Sequence, residues 1–204
     1  MKQKNLPNSF LELEILSQGY NRIVGIDEVG RGSFAGPVYV CGYVFTEESP
    51  ILAGVNDSKQ LSRKKRKELF GNLKSHKYLL EEGSVQDINQ LGVGMTVINL
   101  ITKIVAELSD GKTFFLIDGH FSQNFSAQSR QVVKGDNLHY SISCASIIAK
   151  ELRDEMMRHV GKRYPQYDFE HNVGYGTATH IQAIKKYGIT PEHRLSFKPM
   201  QKYS

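Results

Sequence analysis

The sequence predicts an α/β fold in which strands alternate with helices and a helical segment follows at the carboxyl end. Short runs rich in β-branched and aromatic residues alternate with longer stretches whose apolar residues recur at helical spacing. Two apolar runs, Ile23–Ile26 and Thr113–Ile117, each lead directly into an aspartate. Continuous apolar runs of this length are typical of central strands that are covered on both faces.

The predicted elements follow one another in a simple order. The strand Ile23–Ile26 should stop at Asp27, and Pro37–Phe45 is rich in the residues that strands favour. Together with residues 78–85, these two strands suggest a meander. Along the chain the predictions are helix 9–19, strand 23–26, strand 37–45, helix 63–73, strand 78–85, helix 88–108, strand 113–117, strand 130–133, helix 141–159 and helix 177–187.

Capping and apolar spacing support the helices. Ser62 is suited to cap helix 63–73, because its hydroxyl can accept a hydrogen bond from a backbone N–H of the first turn. Helix 141–159 has a face of Ser, Cys and Ala residues, which would let it sit close to a sheet. Helix 88–108 carries apolar residues at helical spacing, namely Leu91, Met95, Ile98 and Ile101.

Length and composition limit the class of protein. The 204 residues suit one integrated domain, which we expect to comprise a core over 1–160 and a small helical lobe over 161–204. The start of the chain is charged and interrupted by Pro7, unlike a signal peptide, and no uninterrupted apolar run approaches the ~18 residues of a membrane span. Two cysteines are too few for a disulfide framework or a zinc site. These features predict a cytoplasmic protein without a membrane partner.

The chain is basic, with a formal net charge of +5. Six cations fall within the nine positions 59–67. Such a balance favours a polyanionic partner, although a basic helix face is more often only solvated. Within this segment we assign phosphate contact to Lys59 alone.

Acidic residues follow three strand-like or loop segments, as Asp27 with Glu28, Asp118 and Asp136. If the first and fourth strands are parallel neighbours, their acidic ends fall side by side at the edge where α/β sheets hold ligands. Two carboxylates ~4 Å apart repel by about 4 kcal/mol at an effective dielectric near 20, so a proton or cation must compensate. Mg²⁺ or Mn²⁺ with oxygen ligands suits this role, and two such ions can act on a phosphodiester. For any single acid, a turn or capping role remains an equal alternative.

Glycines follow the first acidic pair. Gly30, Arg31 and Gly32 begin a match to the weak dinucleotide-binding pattern GxGxxG/A, but that motif requires a helix immediately afterwards and a β-rich run follows here. We therefore reject that interpretation. Glycines without a Cβ instead let main-chain groups approach a ligand edge such as a ribose 2′-OH, while the arginine can meet phosphate.

Six segments resemble, in order, the motifs of the bacterial ribonuclease HII family. They are DEVGRGSFAGPV (27–38), NDSKQLSRKKR (56–66), IDGH (117–120), KGDNLHYSISCASIIAKELRD (134–154), GYGTATH (174–180) and HRLSF (193–197). The resemblance spans residues 25–200. Two departures are mild, because His120 replaces a commoner Asn and Cys144 interrupts a usual Ala pair.

The resemblance implies a ribonuclease H-like fold, a mixed five-stranded sheet flanked by helices with a helical C-terminal lobe. It implies an endonuclease that cuts the RNA strand of RNA–DNA hybrids and incises duplex DNA 5′ of a single embedded ribonucleotide, leaving 3′-OH and 5′-phosphate ends. It also implies that Gly30, Arg31 and Gly32 sense the 2′-OH and that Tyr175 packs on the sugar. The implied metal ligands and catalytic residues, for two Mg²⁺ or Mn²⁺ ions, are Asp27, Glu28, Asp118 and Asp136.

Other residues and functions remain as alternatives. Asp154 is best explained by i,i+4 pairing on its helix, and His180 and His193 by structural hydrogen bonds. A ribonuclease H-like nuclease or integrase acting on DNA is one rival function, and a hybrid-binding module without catalysis is another. We expect a monomer, and the ending FKPMQKYS contains no clear sliding-clamp motif.

Overall fold

The computed structural model describes residues 7–203, which contain a mixed five-stranded sheet and six α-helices. The strands are β1 (Arg22–Val29), β2 (Val38–Phe45), β3 (Tyr78–Gly83), β4 (Thr113–Asp118) and β5 (Ser129–Val132), in the spatial order β3-β2-β1-β4-β5. The helices are α1 (Phe10–Ser17), α2 (Arg63–Leu73), α3 (Val85–Leu108), α4 (Tyr140–Arg163), α5 (Phe169–Asn172) and α6 (Ala178–Tyr187). The predicted α/β class with five strands is confirmed.

The centre of the sheet is parallel. β1 pairs with β4 in parallel, which is the arrangement that the sequence analysis considered for the acidic strand ends, and β4 pairs with β5 in the same way. Burial is complete or nearly so along the apolar parts of β1, β2 and β4. This explains why these strands read as continuous apolar runs rather than as alternating patterns.

Helix α4 packs closely against β1. A Cβ placed on Gly25 of β1 would collide with the backbone of Ser141 and Ile142 at the start of α4. The small side chains of Cys144 and Ala145 are completely buried. The predicted small-residue face therefore does bring this helix against the sheet.

The chain forms two compact units. One comprises residues 7–28, 40–81 and 101–151 and contains most of the sheet. The other comprises residues 29–39, 82–100 and 152–203, with a core that includes Met157, Tyr167 and Phe169. The sequence predicted two continuous segments that meet at residue 160, whereas each of these units combines separate stretches of the chain. The boundary at residue 160 stays a prediction.

One strand end and the continuity of one helix differ from the predictions. Strand β1 does not stop at Asp27 but continues to Val29. Helix α3 is interrupted at Gly92, whose φ of 78° and ψ of 149° are not helical. Because of this break, Leu91 and Met95 do not extend one buried stripe and are each 51% exposed.

Helix α3 is also long enough and apolar enough, by length and composition alone, to cross a membrane, and a third of its most apolar window is buried. No uninterrupted apolar run of ~18 residues occurs in this helix, as expected from the sequence, because Asn, Thr and Lys residues interrupt it. The uninterrupted part after Gly92, residues 93–108, rises only about 24 Å, less than the ~30 Å hydrocarbon core.

Candidate active site

Three aspartates meet at the carboxyl ends of β1, β4 and β5. Ile26 lies opposite Ile117 in the parallel pairing, so Asp27 and Asp118 come next on the two strands. Asp136 follows β5 through a short 3-10 turn. One carboxylate oxygen from each aspartate lies within 4.8 Å of those from the other two. The predicted convergence of these three acids is therefore confirmed.

The turn before Asp136 is shaped by its neighbours. Lys134 adopts a left-handed conformation with φ 59°, and the N–H of Gly135 then donates to Asp118 Oδ1 at 2.8 Å. A Cβ on Gly135 would press against the Ile142 and Val132 side chains. The sequence KGD thus places one aspartate while its glycine orients another.

Other polar groups orient the remaining carboxylates. The N–H of Glu28 donates to Asp27 Oδ1 at 2.8 Å, and the nearby Ser146 side chain lowers the pKa of Asp27 against the effect of burial. Asn137 Nδ2 donates to Asp136 Oδ1 at 2.9 Å. Neither Ser146 nor Asn137 was predicted from the sequence. Asn137 directly follows KGD, and Ser146 lies in the segment 134–154 that resembles a family motif; these positions were the available signals.

The electrostatics of this cluster favour a cation. Burial raises the pKa of Asp27 well above its usual range, and the charges of Glu28 and Asp118 raise it further. Burial also raises the pKa of Asp118, with an added contribution from Asp136 that the N–H of Gly135 partly offsets. The site holds more negative charge than it can stabilise alone, which a proton or a divalent ion relieves.

Glu28 and Lys59 border the cluster in different ways. Glu28 is half-buried and is not among the three acids that share the 4.8 Å group, so its role as a ligand stays a prediction. Lys59 Nζ lies 3.4 Å from Asp136 Oδ2. Burial lowers the pKa of Lys59, but the charges of Asp136 and Asp27 outweigh this and raise it overall. Lys59 therefore brings positive charge to the acidic site.

The Gly30–Arg31–Gly32 turn lies in the second unit. Gly30 has φ 89°, and a Cβ there would overlap the Arg153 guanidinium, so only glycine fits. Arg31 and Gly32 are exposed. A Cβ on Gly32 would lie 4.0 Å from Cε1 of Tyr175, whose side chain is 38% exposed. The structure thus brings the predicted 2′-OH reader and the predicted sugar-packing tyrosine together.

Two buried histidines support this tyrosine through its backbone. The N–H of Thr190 donates to His193 Nδ1 at 2.9 Å, which places the proton of neutral His193 on Nε2. That Nε2 lies 3.1 Å from His180 Nε2, and His180 Nδ1 in turn lies 2.9 Å from the Tyr175 carbonyl oxygen. The chain of hydrogen bonds agrees with the structural role predicted for both histidines.

Asp154 stands apart from the metal-binding candidates. It is buried on α4 and does not belong to the clustered aspartates, which form the one such group found among residues 7–203. Its charge acts on Arg153, whose pKa is lowered by burial and raised by Tyr175 and Asp154. These contacts give Asp154 an electrostatic role within the second unit.

Comparison with known proteins identifies relatives over nearly the whole chain. The family model described as Ribonuclease HII matches residues 24–200. A ribonuclease HII of Clostridium perfringens is 38% identical over 96% of this chain and 76% of its own length. One from Bacillus mycoides is 40% identical over 98% of this chain and 78% of its own length.

Solved structures share the fold. Ribonuclease H2 of Pyrococcus horikoshii superposes with a TM-score of 0.71 at 24% identity, over 89% of this chain and 96% of its own. Ribonuclease HII of Archaeoglobus fulgidus, solved in a complex with PCNA, gives 0.75 at 21% identity over 87% and 95%. Bst-RNase HIII in complex with Mn²⁺ gives 0.67 at 19% identity over 94% and 71%. The ribonuclease H-like fold is thereby confirmed. Because the family model matches most of the chain and the relatives are 38–40% identical over nearly all of it, the chain belongs to the ribonuclease HII family.

Proposed function

We propose that this protein cleaves the RNA strand of RNA–DNA hybrids and incises duplex DNA 5′ of single embedded ribonucleotides, leaving 3′-OH and 5′-phosphate ends. Membership of the family establishes the coarser part, a metal-dependent ribonuclease H that acts as an endonuclease on RNA–DNA hybrids. The observation that carries the proposal is the meeting of Asp27, Asp118 and Asp136 within 4.8 Å. A protein that only bound phosphates would gain nothing from clustered negative charge.

The three carboxylates fit divalent metal ions. They offer oxygen atoms only, the donor type that Mg²⁺ and Mn²⁺ prefer, and their burial raises the energy of the uncompensated charge. Glu28 completes the proposed ligand set. Two bound ions would supply activation of the attacking water and stabilisation of the departing 3′-oxygen, as in other two-metal nucleases.

The surrounding residues hold these ligands in fixed directions. Gly135 donates to Asp118, Asn137 donates to Asp136, and the N–H of Glu28 donates to Asp27. The Ser146 side chain, which lowers the pKa of Asp27, is itself 2.9 Å from the Ser58 hydroxyl. Partners of this kind orient ligands before the ion arrives, and their loss commonly costs 10–100-fold in metal affinity or activity.

Recognition of the ribonucleotide is assigned to the second unit. We propose that Gly30, Arg31 and Gly32 contact the 2′-OH and its phosphate and that Tyr175 packs on the neighbouring sugar. A Cβ placed on Gly32 would lie 4.0 Å from the Tyr175 ring, and both residues are exposed, which supports this assignment. Lys59 would bind a substrate phosphate through its exposed ammonium group. The cytoplasmic location and the monomeric state stay predictions.

The test compares three duplexes of the same base sequence that differ in where they carry ribonucleotides. One contains a single ribonucleotide, one is all DNA, and one is an RNA–DNA hybrid. We expect a nick 5′ of the ribonucleotide and cleavage of the hybrid with Mg²⁺ or Mn²⁺, and no cleavage of the all-DNA duplex. Equal cleavage of the all-DNA duplex would favour the DNA-nuclease alternative. Binding without cleavage at any metal concentration would favour the binding module.

A variant locates the chemistry. Asp118→Asn should lower the cleavage rate by more than about a hundredfold, because an amide is a poorer ligand for a divalent ion than a carboxylate. Glu107→Gln, which neutralises an exposed acid on α3, is the matched control and should cleave at the unaltered rate. Calorimetric titration with Mn²⁺ should give two ions for the unaltered protein in complex with substrate, and a stoichiometry of one would refute the two-ion mechanism.

A further inference from the structure

The turn between β1 and β2 is held by two buried arginines. Residues 30–37 contain no regular strand or helix, yet Arg153 and Arg194 beneath them are completely buried. Arg194 donates to carbonyls at both ends of the turn. Its hydrogen bonds run from Nη1 to Gly30 O at 2.7 Å and Arg31 O at 3.2 Å, from Nε to Gly36 O at 2.7 Å and from Nη2 to Pro37 O at 2.9 Å.

Arg153 adds a second set of contacts from α4. Its Nε donates to Pro37 O at 2.8 Å, its Nη2 to Ala35 O at 3.2 Å and its Nη1 to Val173 O at 2.9 Å. Val173 lies just before the glycine and tyrosine of the GYGT motif. Within residues 7–203, the hydrogen bonds of both guanidinium groups therefore go to main-chain carbonyls of the two turns.

Burying two arginines costs solvation free energy, which their hydrogen bonds to the turn must offset. Two cations are taken out of water close to each other, and burial together with the charge of Arg153 lowers the pKa of Arg194. Apolar side chains often fill such volumes with equal or better stability. Unlike apolar side chains, the planar fork of a guanidinium fixes the direction of each carbonyl that it contacts.

The direction of those carbonyls determines what the turn presents. In a trans peptide the C=O and the following N–H point in opposite directions. Because the Gly30 and Arg31 carbonyls point towards Arg194, the amides of Arg31 and Gly32 point away from it. Among the residues that the structure describes, the Gly32 N–H has no acceptor. It can therefore donate to a group from outside the protein.

We propose that Arg194, assisted by Arg153, is a positioning residue that sets the preference for a ribonucleotide, by fixing the amide of Gly32 towards the ribose 2′-OH. The inference rests on the proposed function, in which this turn reads the 2′-OH. It assigns the discrimination to a residue that does not itself touch the substrate. Loosening the turn should then weaken ribonucleotide recognition without weakening general contact with DNA.

The experiment measures binding rather than cleavage. In the Asp118→Asn background, fluorescence anisotropy gives the affinities for a duplex with one ribonucleotide and for the same duplex made entirely of DNA. Adding Arg194→Lys keeps the charge but removes the fork, and we expect the preference for the ribonucleotide to fall roughly tenfold, the value of about one hydrogen bond. The affinity for the all-DNA duplex should stay unchanged, which a general loss of structure would not allow.

A matched control and a second variant keep the result interpretable. Arg66→Lys alters another buried arginine, paired with Glu151 in the first unit, and should leave the preference intact. If Arg194→Lys does not fold, Arg153→Lys is tested instead, and a smaller loss of preference is expected. The inference is overturned if the folded variant that is tested keeps the full preference for the ribonucleotide. No preference in the Asp118→Asn parent would instead refute the 2′-OH reading proposed above.

Discussion

At the scale of single residues, the two glycines of the turn differ in how much space there is for a side chain. Gly30 combines φ 89° with the Arg153 guanidinium in the place of a Cβ, whereas a Cβ on Gly32 meets only the Tyr175 ring at 4.0 Å. We expect Gly30→Ala to lower the free energy of unfolding by about 1–3 kcal/mol or more. Gly32→Ala should leave stability within about 0.5 kcal/mol but reduce ribonucleotide incision, because its methyl group occupies the side from which substrate approaches.

Thermal unfolding and incision rates measured on both variants separate these effects. Equal loss of stability in the two variants would show that Gly30 is no more sterically restricted than Gly32. Unchanged incision by a stable Gly32→Ala protein would remove Gly32 from the proposed recognition of the 2′-OH.

Some site residues could be predicted from the sequence and others could not. Asp27 and Asp118 were predictable because parallel strands bring their carboxyl ends to one edge. Arg153 and Arg194 were not, since arginine is usually exposed and nothing local to either position indicates burial. The partner of each guanidinium is a distant main-chain carbonyl, and such partners leave no mark on the sequence pattern.

At the scale of elements, the contact between β1 and α4 depends on Gly25. Its missing side chain lets the backbone of Ser141 approach the strand. We expect Gly25→Ala to destabilise the protein by about 1–3 kcal/mol, because the helix must move or the strand must bend. Gly71 on α2 has open space around it, so Gly71→Ala should instead stabilise by about 0.5–1 kcal/mol through better helix propensity. Urea unfolding of both variants tests this, and a neutral Gly25→Ala would contradict the close packing.

The elements were predicted more reliably than their ends. Ser62 caps α2 as expected, with its hydroxyl accepting from the Lys65 N–H. The end of β1 was predicted too early because acidic residues are uncommon in strands. In the structure, Asp27 and Glu28 continue β1 to Val29. The break at Gly92 was missed because isolated glycines also occur in continuous helices.

At the scale of the whole molecule, His180 and His193 make stability depend on pH. Burial lowers the pKa of both, that of His193 to about 4 with the charge of His180 contributing. In the unfolded chain a histidine titrates near 6.5. Between about pH 6.5 and pH 4 the unfolded state therefore binds more protons at these two histidines, and their contribution to the free energy of unfolding should fall as the pH falls, by on the order of 2 kcal/mol. The raised pKa values of Asp27 and Asp118 act in the opposite direction.

Chemical denaturation at several pH values provides the measurement. His193→Gln should lose about 1–3 kcal/mol at pH 7.5, where it breaks the hydrogen bond to His180, yet show a shallower decline towards pH 4.5. The exposed His159 is the control, and His159→Gln should keep the original pH dependence. An unaltered slope in His193→Gln would mean that other groups cause the acid sensitivity.

The Lys59 ammonium, 3.4 Å from Asp136, acts as a tethered counter-ion. Loading a divalent ion is therefore an exchange, in which the ammonium leaves the carboxylate and becomes available to a phosphate. Metal and nucleic acid should then each tighten the binding of the other by the same factor. Without DNA, Lys59→Met should bind Mn²⁺ about threefold more tightly than the unaltered protein, an effect kept small because the charge is exposed and screened. Lys59→Met should also lose much of the mutual tightening between metal and nucleic acid, whereas Lys64→Met should retain it.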